Sequence, residues 1–247
     1  MRQAKLQVLG LCRWSYPSQT GAFNNTGESL EALQSELYAA ERMAVRLFFL
    51  EHLVLPSLRA QSDPDFTLVL MMGETLPEPW RSRVLELVQD VPQVKPVFLP
   101  EGQNHMAACT ALMRAHRDES ADVVVEFRLD DDDAVASDFV AQLRGLYRQL
   151  RPIYKANKRV AVDFCWGFLF RCEDNGGVNY LPVEARLWTP ALALYLSPDH
   201  PRSLLNYPHM RTWRSMPVLS LNKKPMFVRG AHEGNDSAIK ERKVDSF

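Results

Sequence analysis

An α/β fold with a mostly parallel sheet is what this sequence predicts, on three observations. Apolar runs alternate with helical patterns over the first 150 residues, the order expected of βα units. The runs are near-continuous, as in Val123, Val124, Val125, Phe127 and Leu129, which is how strands read when helices cover both faces. Four consecutive carboxylates, Asp130 to Asp133, stand directly behind that run, and in open α/β sheets ligands bind outside the carboxyl ends of the strands.

Each element follows from its pattern. KLQVLGLC, near the N-terminus, is a buried strand, and the Ser-, Asn-, Gly- and Pro-rich stretch RWSYPSQTGAFNNTGES behind it is a long loop. From Glu28 to Ala60, Leu30, Leu33 and Leu37 and then Met43, Leu47, Phe48 and Leu50 recur at helical spacing, with a break or kink expected near Pro56. FTLVLMM is the second strand, closed by Gly73. PEPWRSRVLELVQD opens on prolines and carries Trp80, Val84, Leu87 and Val88 at helical intervals, so it reads as a helix. VKPVFL is a third strand, NHMAACTALMRAHR a helix, DVVVEFRL a fourth strand, and SDFVAQLRGLYRQL a helix with Ser137 as its N-cap. After residue 150 the texture changes. RVAVDFCWGFLF is strand-like, EDNGGVNYLPVEARLWTP mixes turns with short extended pieces, PRSLLNYPHMRTWRSM has helical character, and the tail is polar. This divides the chain into a ligand-binding α/β half, residues 1–150, and a mixed region, 151–247, serving as acceptor site and lid of the same domain.

Composition narrows the function. With 46% hydrophobic and 24% charged residues in 247, the chain can bury a substantial core. A net charge of -1, from 29 basic and 30 acidic residues, offers no footprint for nucleic acid. Any anionic ligand must be held locally. No apolar stretch has the ~20 residues of a membrane span, and the N-terminus reads as a strand, not a signal peptide. Cys12, Cys109, Cys165 and Cys172 are scattered without a C-x-x-C pair, which fits reduced thiols. A cytoplasmic location is therefore expected.

The aspartates carry the functional signal. Unit charges a few ångströms apart repel by about 4 kcal/mol near a protein surface, so four in a row call for compensation. A helix dipole accounts for one or two acidic residues, and a divalent cation for more. On an extended segment Asp130 and Asp132 share one face and Asp131 and Asp133 the other. An EF-hand fails, because its fifth and sixth positions would be Ala134 and Val135. The D-x-D-x-V string Asp131, Asp133 and Val135 fits a phosphohydrolase of the haloacid dehalogenase type, with Asp131 as nucleophile and Asp133 as general acid, although three βα units precede it here. The remaining metal-site reading is the D-x-D motif of a nucleotide-sugar glycosyltransferase of the GT-A fold, where the motif follows a nucleotide-binding βα half.

The stretches GLCRWSYPS (10–18), LPSLRAQSDPDFTLVLMMGETLP (55–77), FRLDDDDAV (127–135), HMRTWRSMP (209–217) and HEGNDS (232–237) resemble a family of bacterial rhamnosyltransferases related to GT-A glycosyltransferases. The resemblance spans nearly the whole chain, and RLDDDDA is its most specific element. It implies a GT-A-like fold and transfer of a glycosyl group, rhamnose by the family label, from a nucleoside diphosphate sugar to a hydroxyl on a glycan or other acceptor, with Mn²⁺ or Mg²⁺ as cofactor. Asp130 then matches the first D-x-D position, facing nucleotide and metal, and Asp132 the second, the direct metal ligand. Arg13 and Ser15 fall where such enzymes contact the nucleotide, Arg128 and Asp131 join the donor-binding residues, and Glu74 alone stands where related enzymes carry acidic residues for the base. His232 is the candidate to complete the metal shell, with His209 second. An inverting mechanism needs a carboxylate base, for which Asp163 and Asp236 are candidates. Trp166, Trp188 and Trp213 suit either stacking on a sugar or the core. A non-catalytic carbohydrate-binding protein is the other alternative.

Overall fold

The computed structural model describes residues 4–18, 29–172 and 177–231. His232 and Asp236 lie outside the described residues.

Apolar side chains on both sides of the first strand, β1 (Leu6–Arg13), commit it to the middle of a sheet. It is flanked in parallel by β2 (Thr67–Gly73) and β4 (Val123–Arg128), and β3 (Val94–Leu99) extends the sheet beyond β2. On the other side, β9 (Leu192–Leu196) runs antiparallel between β4 and β6 (Arg159–Phe164), and β10 (Val218–Leu221) closes the edge. The seven strands lie in the order β10-β6-β9-β4-β1-β2-β3. A second sheet, in the order β5-β11-β7-β8, is built from β5 (Asp133–Val135), β7 (Trp166–Cys172), β8 (Val178–Glu184) and β11 (Phe227–Ala231).

Period-two alternation sorts the side chains of the large sheet between two cores. Val8, Cys12, Val123, Val125 and Phe127 pack with residues of α2 (Ala40–Phe49), α3 (Leu55–Arg59), α4 (Trp80–Val88) and α6 (Phe139–Asn157). Leu9, Leu11 and Val124 face the other way, onto α5 (His105–Ala115), whose Asn104 side chain caps it by accepting from Ala107 N at 3.0 Å. On this second face, Glu126 of β4 is fully buried against Arg117, 2.7 Å away. Glu126 also accepts from Leu204 N at 2.8 Å, while Arg117 donates to the Arg202 carbonyl at 2.7 Å. Burial raises the Glu126 carboxyl and Arg117 opposes that rise. This pair ties the C-terminal third onto the α5 face.

Four readings of local structure are refined. The helical stretch from Glu28 to Ala60 is not one helix: after α1 (Leu30–Leu37) and α2, a π-helical turn over Leu50–Val54 leads into α3, which takes Pro56 in its first turn, where a missing N–H costs nothing. Asp138, not Ser137, occupies the N-cap position of α6. RVAVDFCWGFLF is two strands, β6 and β7, assigned to different sheets. The segment 204–214 is 3₁₀ in two pieces, Leu204–Asn206 and His209–Arg214.

Candidate functional site

The aspartates leave the end of β4, and the alternation of that strand decides where they go. Glu126, Arg128 and Asp130 continue the α5 face. Asp130 accepts from Arg13 at the end of β1 (3.0 Å) and from Arg128 (2.9 Å), one guanidinium to each carboxylate oxygen. Burial disfavours its charge, but Arg128 and Arg13 outweigh that and hold the carboxyl well below the usual range. Asp131 turns to the opposite face, where buried Arg46 of α2 donates to it at 2.6 Å and to Asp132 at 3.2 Å. Burial lifts the Asp131 carboxyl to about 6 despite Arg46, with Asp132 and Asp130 adding to the rise. Asp133, opposite Arg229 in the β5–β11 pairing, is 1% exposed and its Oδ1 has no hydrogen-bond partner. Burial, reinforced by Asp132 and Asp130, pushes its carboxyl well up.

The repulsion expected of four adjacent carboxylates is thus offset largely within the protein, by Arg13, Arg46 and Arg128 and by the raised affinity of Asp131 and Asp133 for protons. Gly230 of β11 closes over the turn: its N–H donates to the Asp132 carbonyl at 2.8 Å, and a Cβ there would stand 2.4 Å from that oxygen. Only glycine admits so close an approach.

A cavity of about 150 Å³ opens on the α5 face, lined by Arg13, Arg128, His105, His209, Tyr207 and Thr189 among others. Both histidines are neutral with an assigned tautomer. Arg13 Nη1 lies 2.9 Å from His105 Nε2, which must accept, so Nδ1 carries the proton toward Ser18 Oγ at 3.1 Å. Burial, then Arg13 and Arg128, bring His105 down to about 4. His209 Nδ1 lies 2.7 Å from the Leu187 carbonyl and therefore carries the hydrogen, leaving Nε2 as an acceptor. Burial lowers His209 as well.

The remaining sequence candidates separate. Ser15 follows β1 with φ 49° and a buried Oγ that has no partner. Glu74 is exposed beyond β2, beside a network in which Glu101 accepts from Tyr38 and Thr75. Asp163 is fully buried, accepting from Leu187 N (2.9 Å) and Ser220 Oγ (2.9 Å). It thereby fixes the Leu187 turn (φ 61°), whose carbonyl orients His209. The hydrolase reading is also disfavoured, since its nucleophile Asp131 is buried and ion-paired with Arg46. Trp188 stacks with Arg229, 4.9 Å from its guanidinium carbon, whereas Trp213 is 59% exposed. Sequence reasoning missed Arg46, Glu101, His105 and Gly230. Arg46 lies inside an apolar helical pattern, and only its charge among Met43, Leu47 and Leu50 marks it.

Among the described residues no three His, Cys, Asp or Glu side chains converge as a cation cage. The donor set nonetheless suits a hard cation that is shared with a ligand, since Mg²⁺ is commonly held by one or two carboxylates plus phosphates. Asp132 accepts from Arg46 through Oδ2, and the orphaned oxygen of Asp133 is next in the chain. Asp130, with both oxygens on arginines, is better suited to orienting those arginines.

Residues 7–243 match the family described as "Putative rhamnosyl transferase". No curated protein matches the chain. Among solved structures, S. aureus TarS residues 1–349 in complex with UDP-GlcNAc aligns with a TM-score of 0.50 at 10% identity, covering 93% of this chain and 60% of that one. The mannosyltransferase PcManGT from Pyrobaculum calidifontis, in complex with GDP-Man and Mn²⁺, aligns at 0.47 and 12%, covering 92% and 58%. The chain thus spans about 60% of the length of these structures. The fold is of the GT-A type.

Proposed function

We propose, from the premise that this chain belongs to the rhamnosyl transferase family, that it transfers a glycosyl group from a nucleoside diphosphate sugar to a hydroxyl acceptor. The observation that carries the reading is the convergence of Arg13, Arg128 and the D-x-D aspartates at the carboxyl ends of β1 and β4, beside a cavity walled partly by the C-terminal third. Two guanidinium groups held by one carboxylate form a fork suited to phosphate oxygens. The exposed rim at Glu74, with Tyr38 and Glu101, lies at the neighbouring strand end and suits the nucleoside. TarS, which shares the fold, is described with UDP-GlcNAc. Rhamnose is the sugar that the family description names.

Asp132 would hold the divalent cation, Mn²⁺ or Mg²⁺, which when bound supplies a Lewis acid for the departing diphosphate. His232 lies outside the described residues and remains the proposed second protein ligand. Arg13 and Arg128 bind the diphosphate, and Asp130 keeps them aimed. The acceptor proton passes to His209 Nε2, whose tautomer is set by the Leu187 carbonyl. Asp236, outside the described residues, is the alternative base.

A thermal-shift panel of nucleoside diphosphates with Mn²⁺ tests the donor class. Binding at a hundredfold above Kd stabilises by about 2.7 kcal/mol, or roughly 5–10 °C for a chain of this size. A shift with UDP, dTDP or GDP that needs the metal supports the reading. No shift with any nucleotide sinks it.

A further inference from the structure

Charge is distributed unevenly along this chain. From His200 to Ala231 there is no Asp or Glu, while Arg202, Arg211, Arg214, Lys223, Lys224 and Arg229 are all basic, in a protein whose whole charge is -1. Within that stretch the 3₁₀ helix His209–Arg214 sorts its side chains by threes, because residues i and i+3 eclipse in a 3₁₀ helix. His209 and Thr212 form the inward row: Thr212 is 1% exposed and His209 holds the Leu187 carbonyl. Met210 and Trp213 form an outward apolar row, 53% and 59% exposed. Arg211 and Arg214 form an outward basic row, and neither makes an ion pair among the described residues. Arg214 lies 5.1 Å from the Trp213 ring centre. Buried Tyr207 and Met216 pin the two ends of the helix, so the indole is presented from a fixed base.

We propose that this face docks the protein on an anionic lipid bilayer, with Trp213 and Met210 entering the headgroup layer and Arg211 and Arg214 meeting lipid phosphates. Tryptophan settles at membrane–water interfaces because one end of the indole is apolar and its N–H is polar. Each Lys or Arg near an anionic surface contributes about 1 kcal/mol, or about fivefold in partitioning. Exposed Arg211 and Arg214 match that partner, whereas Lys224 is held by Asp138 and Arg229 packs on Trp188. Pro208 and His209, at the start of the same helix, line the cavity. Docking therefore brings the cavity mouth to the membrane surface, and on the transferase reading the acceptor is a hydroxyl compound carried there.

The test sediments the full chain with vesicles of phosphatidylcholine alone or with phosphatidylglycerol added. The wild type partitions onto the anionic vesicles, less so at high salt, and brominated lipid quenches its tryptophan fluorescence. R211E/R214E lowers the partition coefficient about tenfold or more, and W213S removes the quenching, while both keep the wild-type melting temperature. No partitioning, equal binding to neutral vesicles, or unchanged binding of folded variants overturns the proposal. So does equal retention by soluble dextran sulfate without lipid quenching, which would mark a site for polyanionic glycan. No nucleotide enters the assay, so its failure is distinct from failure of the donor reading.

Discussion

Replacing Arg46 by alanine probes the arginine compensation most sharply. Arg46 is 5% exposed and bridges Asp131 and Asp132 at 2.6 and 3.2 Å. Removing one partner of a buried ion pair leaves uncompensated charge and costs about 3–5 kcal/mol. At about 2–4 °C per kcal/mol for this chain length, the melting temperature falls by roughly 6–20 °C. In the folded protein the Asp131 carboxyl already stands at about 6, above its ordinary 3.8, and without Arg46 it rises further. A raised folded value means that stability is greatest with the group protonated and is lost as pH increases through the folded value. The R46A penalty is therefore largest at neutral pH and above, and shrinks toward pH 4. Thermal melts of wild type and R46A across that range, with R46A/D131N as the neutralised control, measure this. An R46A loss that is small, or equally large at every pH, refutes compensation of buried carboxylates by Arg46.

Other outcomes follow from the same geometry. Gly230→Ala puts a methyl against the Asp132 carbonyl and should weaken Mn²⁺-dependent nucleotide binding by about 10–100-fold, as loss of an outer-shell support does, measured by calorimetry. His105, at about 4 against an ordinary 6.5, refuses a proton that the unfolded chain accepts. Stability therefore falls by about 3 kcal/mol as pH drops from 6.5 to 4, and His105→Gln flattens that limb of the denaturation profile. His209→Gln should lower turnover by about 10²–10⁴-fold in a nucleoside diphosphate release assay, with nucleotide affinity unchanged. Wild-type turnover in H209Q would remove His209 as base.

Much of the first half of the chain was legible because its signals are local. β1 through β4 are near-continuous apolar runs, and the aspartates begin where the last of them ends. The C-terminal third was less so. RVAVDFCWGFLF holds no break that separates β6 from β7, because both are apolar and Cys165 between them is buried too. The partners of the aspartates were also hidden. Arg46 and Arg13 come from elements 85 and 117 residues away from Asp131 and Asp130, and no spacing rule reaches that far. Asp163 was chosen for its residue type on a strand, whereas its full burial depends on the packing of Leu187 and Ser220 around it.

On the transferase reading the D-x-D turn binds a nucleoside diphosphate through a divalent cation at Asp132. Calorimetric titration of the nucleotide that gives the largest thermal shift, into wild type and Asp132→Asn, in Mn²⁺ and again in EDTA, tests it most directly. Chelation should weaken wild-type binding by about tenfold or more, and D132N should bind weakly with or without the metal. Equal affinity of wild type and D132N in Mn²⁺, undiminished by EDTA, would contradict it.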